Sequence, residues 1–199
     1  MEASFFTRHP ILKDVVTIIL FLIAVFIGTT LINAFVFRSY HVVGPSMEMT
    51  MYTGDRLIVN RLPVTWQHLQ GKQYLPERGD IIVFKNPHFD RGIEDEYIVK
   101  RVIGLPGERV VVGDGAITVY NDENPDGFNP DELFDGEPST PTSGNADVIV
   151  PENQIFVSGD HRQGSYSYDS RNGLGTIPLY DIIGPVSLRI FPFDKFRGF

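Results

Sequence analysis

Tyr97-Ile98-Val99-Lys100-Arg101-Val102-Ile103, closed by Gly104-Leu105-Pro106-Gly107, is the run from which the fold is most directly read. Its β-branched residues favour a strand, and the Gly-Leu-Pro-Gly that follows is turn chemistry. Side chains alternate along a strand, so Ile98, Lys100 and Val102 share one face and Tyr97, Val99 and Arg101 the other. A lysine between two β-branched apolar neighbours has two readings. On an edge strand its ammonium reaches water along its own stem. Inside a sheet, burial disfavours the charged form and lowers the pKa, which is what a lysine general base requires. The strand alone leaves both open.

Working outward, the same kind of segment recurs on both sides. Residues 55–62 (DRLIVNRL), 80–85 (DIIVFK), 148–150, 155–157 and 182–191 read as strands, and 40–43 is a brief apolar run. Residues 110–112 and 116–120 flank Gly113-Asp114-Gly115, the turn chemistry of a β-hairpin. Residues 64–76 are polar and read as a loop or one helical turn, and 90–96 as an acidic loop. From 113 to 152 there are ten acids and no Lys or Arg, among many Pro, Asn, Asp and Gly. That stretch reads as a loop-rich insertion. Many short strands with almost no amphipathic helix predict a mainly β fold, sandwich or barrel-like.

The N-terminal part is of another kind. Residues 15–37 (VVTIILFLIAVFIGTTLINAFVF) carry no charge. About 23 helical residues span roughly 34 Å, enough for a bilayer. Asn33 and the Thr29-Thr30 pair are tolerable because their side chains can bond back to the helix backbone. A removable leader would have a shorter apolar core and small residues at its end, so the run reads as a retained anchor. Arg8 and Lys13 before it oppose Arg38 after it, which favours a cytoplasmic N-terminus. The chain thus divides into a short cytoplasmic segment (1–14), a transmembrane anchor (15–37) and an extracytoplasmic β-rich domain (38–199).

The 199 residues carry a net charge of −8, and an acidic chain without a basic stripe argues against nucleic-acid binding. Cys is absent, which excludes disulfides, a thiol nucleophile and thiolate metal sites. Just past the anchor, Gly44-Pro45-Ser46-Met47-Glu48-Met49-Thr50 boxes a serine between a turn-forming pair and a methionine, and Tyr52-Thr53-Gly54-Asp55 follows. A serine nucleophile needs a base. None of the five histidines sits in a context that marks it as one. The best placed is His161 in Gly159-Asp160-His161-Arg162, which reads first as a turn histidine. Lys100 is the one lysine in mid-strand.

Three segments together resemble the boxes of bacterial type I signal peptidases. They are 44–55 around Ser46, 97–108 (YIVKRVIGLPGE) around Lys100, and Gly159-Asp160-His161-Arg162 with Ser167-Tyr168-Asp169-Ser170-Arg171. They stand in the family's order, behind an anchor, with the strand 78–84 between the first two. The resemblance implies a membrane-anchored Ser/Lys endopeptidase that removes signal peptides and uses no metal or cofactor. It implies that Ser46 attacks the scissile carbonyl, that neutral Lys100 takes its proton, and that Ser167 orients the lysine, with Ser165 as competitor. The Ser46 backbone N–H would form half of an oxyanion hole. The second donor is open, because Gly44 stands where some members carry a serine hydroxyl. Arg101, Asp160, Arg162, Asp169 and Arg171 would form ion pairs that hold the site. Tyr40, Val42, Val43, Ile98 and Val99 match positions lining shallow apolar pockets, which implies precursors with small residues before the cut. Met49 replaces the family's usual proline, a change expected in loop stiffness. Met49, Met51 and the Phe-rich tail would rest on the bilayer interface or in the core.

Two other functions fit parts of the chain: a self-cleaving Ser/Lys regulator of the repressor type, and a non-enzymatic, membrane-anchored β-rich receptor. The anchor and the lack of a DNA-binding helical domain count against the first. Asp122-x-Asn124-x-Asp126-Gly127 resembles the start of a calcium loop, but Leu133 occupies the twelfth position, so it reads as a surface turn.

Overall fold

The computed structural model describes residues 10–90, 95–134 and 138–199. Helix α1 (Pro10–Phe35) is apolar on every side from Val15 onward, and its apolar surface is not buried in the protein. Its polar side chains turn inward to the backbone. Thr29 donates to the Val25 carbonyl at 2.9 Å, Thr30 to Phe26 at 2.8 Å and Asn33 to Thr29 at 3.1 Å. Each of these side chains thus directs a donor to the helix's own backbone, as polar groups on an otherwise apolar helix surface do.

The helix runs directly into β1 (Phe37–His41), followed by β2 (Arg56–Asn60), α2 (Leu62–Leu69), β3 (Ile81–Lys85) and β4 (Tyr97–Gly104). Then come β5 (Arg109–Gly113), β6 (Ala116–Tyr120), β7 (Ala146–Ile149), β8 (Gln154–Ser158), β9 (Ile177–Pro178), β10 (Ile182–Phe191) and β11 (Arg197–Gly198). The larger sheet runs β1-β2-β10-β3-β4-β8-β9, with β11 also on β10, and every pair in it is antiparallel. A second sheet runs β6-β5-β7. The fold is mainly β with one apolar N-terminal helix, as the sequence predicts.

One segment differs from its sequence reading. Residues 64–76 read as a loop or one helical turn; α2 makes two turns, started by Pro63 in its first turn and anchored by the buried Val64. The span 113–152 holds the expected hairpin strand and return strand, with long loops between them. Its first strand closes a two-residue turn in which Asp114 (φ 51°) and Gly115 (φ 82°) both take the left-handed region. Its last part returns as β7, and the three strands share a core of Ile103, Val110, Val112, Ile117, Val119, Val150 and Phe156. Of the expected acidic loop 90–96, residues 91–94 lie outside the described residues, as do 1–9 of the N-terminal segment.

Strand β4 lies between β3 and β8, with apolar clusters on both faces. Ile82, Val102 and Val157 pack on one side, and Val42, Met47, Met51, Val59 and Val83 on the other. Met51 is fully buried, whereas Met49 is exposed at φ 83°. A proline ring cannot adopt that φ. Met49 thus holds a turn conformation that proline could not.

Candidate active site

Ser46 sits in the connection from β1 to β2, and its loop is built by local hydrogen bonds. The Glu48 N–H donates to the Pro45 carbonyl at 3.0 Å, and the Thr50 and Met51 N–H groups donate to the Met47 carbonyl at 3.1 and 2.8 Å. Arg189 of β10 ties this loop down, donating to the Thr50 carbonyl and to Asp55 Oδ2, each at 3.0 Å. Arg189 was not singled out in the sequence. The signal was present, a charged residue inside the apolar run 182–191.

Lys100 faces Ile82 across the β3–β4 ladder. It is 3% exposed, so the edge-strand reading does not apply. Its Nζ lies 2.7 Å from Ser46 Oγ, although 54 residues separate the two, and 2.9 Å from the Val99 carbonyl oxygen. Burial pushes the Lys100 amine down to about 8. The carboxylates of Asp169 and Asp160 pull it back up, and Arg171 opposes them. Desolvation wins because each carboxylate is already neutralised by an arginine. A lysine near 8 is substantially neutral at mildly alkaline pH, as a general base must be.

The ion pairs form, with partners the sequence left open. Arg101 grips Asp160 with two bonds, Nε to Oδ1 at 2.8 Å and Nη2 to Oδ2 at 2.6 Å. Thr50 Oγ1 donates to the same Asp160 Oδ2 at 2.5 Å, tying the serine loop to this pair. Arg171 pairs with Asp169, at 2.7 Å from Nη2 to Oδ2. Arg162 is wholly buried and pairs not with Asp160 but with Asp131, from the long β6–β7 connection. Asp131 was seen in the sequence only as one acid among ten. Phe134, from the same connection, lies under the Arg101 guanidinium, 5.0 Å from ring centre to Cζ.

Ser167 is buried and Ser165 exposed. The Ser167 hydroxyl donates to Asp169 Oδ2 at 2.6 Å. Among the described residues, the acceptor that shares the Lys100 amine with Ser46 is the Val99 carbonyl, not Ser167. The carboxylate is the stronger acceptor for that hydroxyl. Gly44, at φ 91°, offers no free donor, since its N–H donates to Thr53 Oγ1 at 3.0 Å. Among the described residues, nothing accepts from the Ser46 N–H. His161 lies beside the serine loop, its backbone N–H donating to the Ser46 carbonyl at 3.1 Å.

A cavity of about 660 Å³ opens over the pair. Ser46 and Lys100 line it together with Tyr40, Val42, Val43, Ile98 and Val99, so all five expected pocket residues meet there. Tyr97, Ile98 and Val99 are paired with β3 on one side, whereas β8 joins β4 only from Arg101 onward. Among the described residues no strand covers their other edge. Asp122, Asn124 and Asp126 build a turn through Asn121, and among the described residues no three acidic or histidine side chains gather as a metal site.

A buried lysine 2.7 Å from a serine hydroxyl, at the floor of a groove with an open strand edge, is an arrangement for acyl transfer. Comparison with known proteins agrees. A family model described as signal peptidase, peptidase S26, matches residues 12–191. Signal peptidase I P of Bacillus subtilis subsp. natto is 32% identical over 196 residues, 96% of this chain and 94% of that one. Signal peptidase I of Bacillus licheniformis is 34% identical over 175 residues, 84% of this chain and 83% of that one. A crystal structure of a signal peptidase I from Enterococcus faecalis V583 gives a TM-score of 0.40 at 27% identity, covering 57% of this chain and 97% of that one. With the match running from inside helix α1 to the end of β10, the chain belongs to the signal peptidase family, peptidase S26.

Proposed function

We propose that this protein is a membrane-anchored serine endopeptidase that removes signal peptides from exported precursors. The observation that carries the proposal is the 2.7 Å approach of the buried Lys100 amine to the Ser46 hydroxyl. Neutral Lys100 takes the hydroxyl proton as Ser46 Oγ attacks the scissile carbonyl. The Ser46 N–H receives the charge that develops on the carbonyl oxygen. The resulting ammonium returns its proton to the leaving amine, and an ester to Ser46 remains. Lys100 then takes a proton from the water that attacks the ester and returns it to Ser46 Oγ as the acyl C–O bond breaks, which releases the carboxylic acid product and restores the pair. Ser167 acts one step back: it holds Asp169, whose charge favours the ammonium that forms during the reaction.

The precursor lies along the open edge of β4 as an added strand, with its side chains in alternate pockets. Tyr40, Val42, Val43, Ile98 and Val99 wall those pockets, and β-branched walls this close to the nucleophile admit small side chains and exclude large ones. Helix α1 spans the bilayer, with residues 1–14 in the cytoplasm and 38–199 outside. Such a placement brings the groove to the membrane surface from which a precursor emerges. The chain takes no nucleic acid.

The test is cleavage of a membrane-inserted precursor bearing an Ala-x-Ala site. Ser46→Ala and Lys100→Ala should each abolish it, and cleavage surviving in both would contradict the proposal. Replacing either alanine of the site by leucine should slow cleavage by roughly the 10–200-fold that a misfit in an apolar pocket costs.

A further inference from the structure

His161 takes no part in the Ser46–Lys100 pair, yet it touches the serine loop at three points. Its backbone N–H donates to the Ser46 carbonyl at 3.1 Å. Its ring Nδ1 lies 3.2 Å from the Pro45 carbonyl oxygen and 3.3 Å from Glu48 Oε2. A carbonyl and a carboxylate oxygen only accept, so these contacts place a proton on Nδ1. The ring is held flat against Tyr166, with centroids 4.6 Å apart and planes 25° from parallel.

The Pro45 carbonyl also accepts from the Glu48 N–H at 3.0 Å, so two donors converge on one oxygen. The Pro45–Ser46 peptide is trans, since the only cis bonds among the described residues are Thr140-Pro141 and Phe191-Pro192. In a planar trans peptide the N–H points away from the C=O. Whatever fixes the Pro45 oxygen therefore fixes the direction of the Ser46 N–H, a donor that nothing among the described residues accepts from. On the far side of the same residue, the His161 backbone holds the Ser46 carbonyl. The donor is set from both flanking peptides by one residue of the last box.

We infer that His161 is a positioning residue for the oxyanion donor: its Nδ1–H pins the Pro45 carbonyl and so aims the Ser46 N–H at the place where negative charge forms. The inference rests on the acyl-transfer reading of Ser46. Its physical content is preorganisation. A donor already aimed need not reorient as the carbonyl oxygen becomes charged, and the gain is made in the transition state alone. A histidine that is not a base thereby has a chemical task.

Two substitutions in the full-length protein separate this task from packing. His161→Phe keeps a ring to stack on Tyr166 but has no Nδ1–H. His161→Asn loses the ring but carries an amide N–H at the reach of Nδ1. Complete removal of an oxyanion donor costs about 10²–10³ in kcat, so a donor left in place but misaimed should cost roughly tenfold. His161→Phe is expected to lower kcat by about that factor with KM within about twofold, and His161→Asn to stay within about threefold of the wild type. The acid limb of the pH–rate profile should not move in either, because Lys100 is untouched. Wild-type kcat in His161→Phe, or His161→Asn as slow as His161→Phe, would overturn the inference. So would a loss borne by KM. Ser46→Ala run alongside distinguishes the two levels. Turnover in Ser46→Ala breaks the acyl-transfer reading itself, whereas an inactive Ser46→Ala beside an unimpaired His161→Phe breaks only the positioning role.

Discussion

At the scale of the residue, Lys100 is the group whose chemistry the fold changes most. Its folded pKa of about 8 lies below the ordinary lysine value of 10.5. Between those values the unfolded chain binds a proton that the folded one does not, so stability rises with pH across this window. Below pH 8 the folded protein carries a buried charge. Lys100→Met should therefore be more stable than the wild type at pH 7, and its advantage should shrink as pH rises from 8 towards 10.5. Denaturant midpoints at several pH values would show this, and an advantage independent of pH would contradict it. Asp160 presents the opposite case. It is fully buried and gripped by Arg101 and Thr50. Removing one partner of a buried pair costs about 3–5 kcal/mol, because the other charge is left buried. Asp160→Ala should lower stability by about that much, measurable as a drop in denaturant midpoint. Mid-strand lysine and boxed serine were legible in the sequence because each breaks a local pattern. The Arg162–Asp131 pair was not, since one acid among ten carries no local mark.

At the scale of the element, the site is a serine loop strapped by residues 159–161 against strand β4. The strap works only because Gly159 has no side chain. A Cβ there would stand 2.2 Å from Ser167 Oγ and 2.3 Å from the Ser46 carbonyl oxygen, and the latter is backbone and cannot swing away. Gly159→Ala must push the serine loop from the lysine. A displacement of about 1 Å costs on the order of 10²-fold in rate, so a loss of that size is expected in kcat/KM, and near-normal activity would contradict the strap. Strand positions were largely readable. Val, Ile and Phe mark the buried runs, and Gly or Asp-Gly marks where they turn. Helix α2 is hard to read in the sequence because its polar composition hides a single buried residue, Val64. Strand β9 has two residues and offers no periodicity to read.

At the scale of the whole molecule, helix α1 and the sheet are joined, not merely consecutive. The last carbonyls of α1 have no partner within the helix. Thr65 donates to the Phe35 carbonyl at 2.9 Å, the Arg61 N–H donates to Val36 at 2.8 Å, and the Arg61 guanidinium reaches Ala34. The apolar helix thus ends on the β2–α2 corner, where β2 leaves the sheet that the Ser46 loop enters. The chain has no cysteine, so one introduced residue reports topology cleanly. Asp114→Cys, at the exposed tip of the β5–β6 hairpin, should react with an impermeant maleimide added outside intact cells. Labelling only after lysis would reverse the proposed orientation. Which strands pair across the sheet could not be read from the chain, because register depends on partners far away in sequence. Nor could the 2.7 Å approach of Lys100 to Ser46, on which the account turns. Its most direct test is the pH dependence of kcat/KM for cleavage of a signal-peptide-bearing precursor by the full-length, membrane-embedded protein. Activity should rise with pH through an acid limb near 8, as Lys100 loses its proton. A profile flat through that range, or a limb near the ordinary histidine value of about 6.5, would contradict Lys100 as the base.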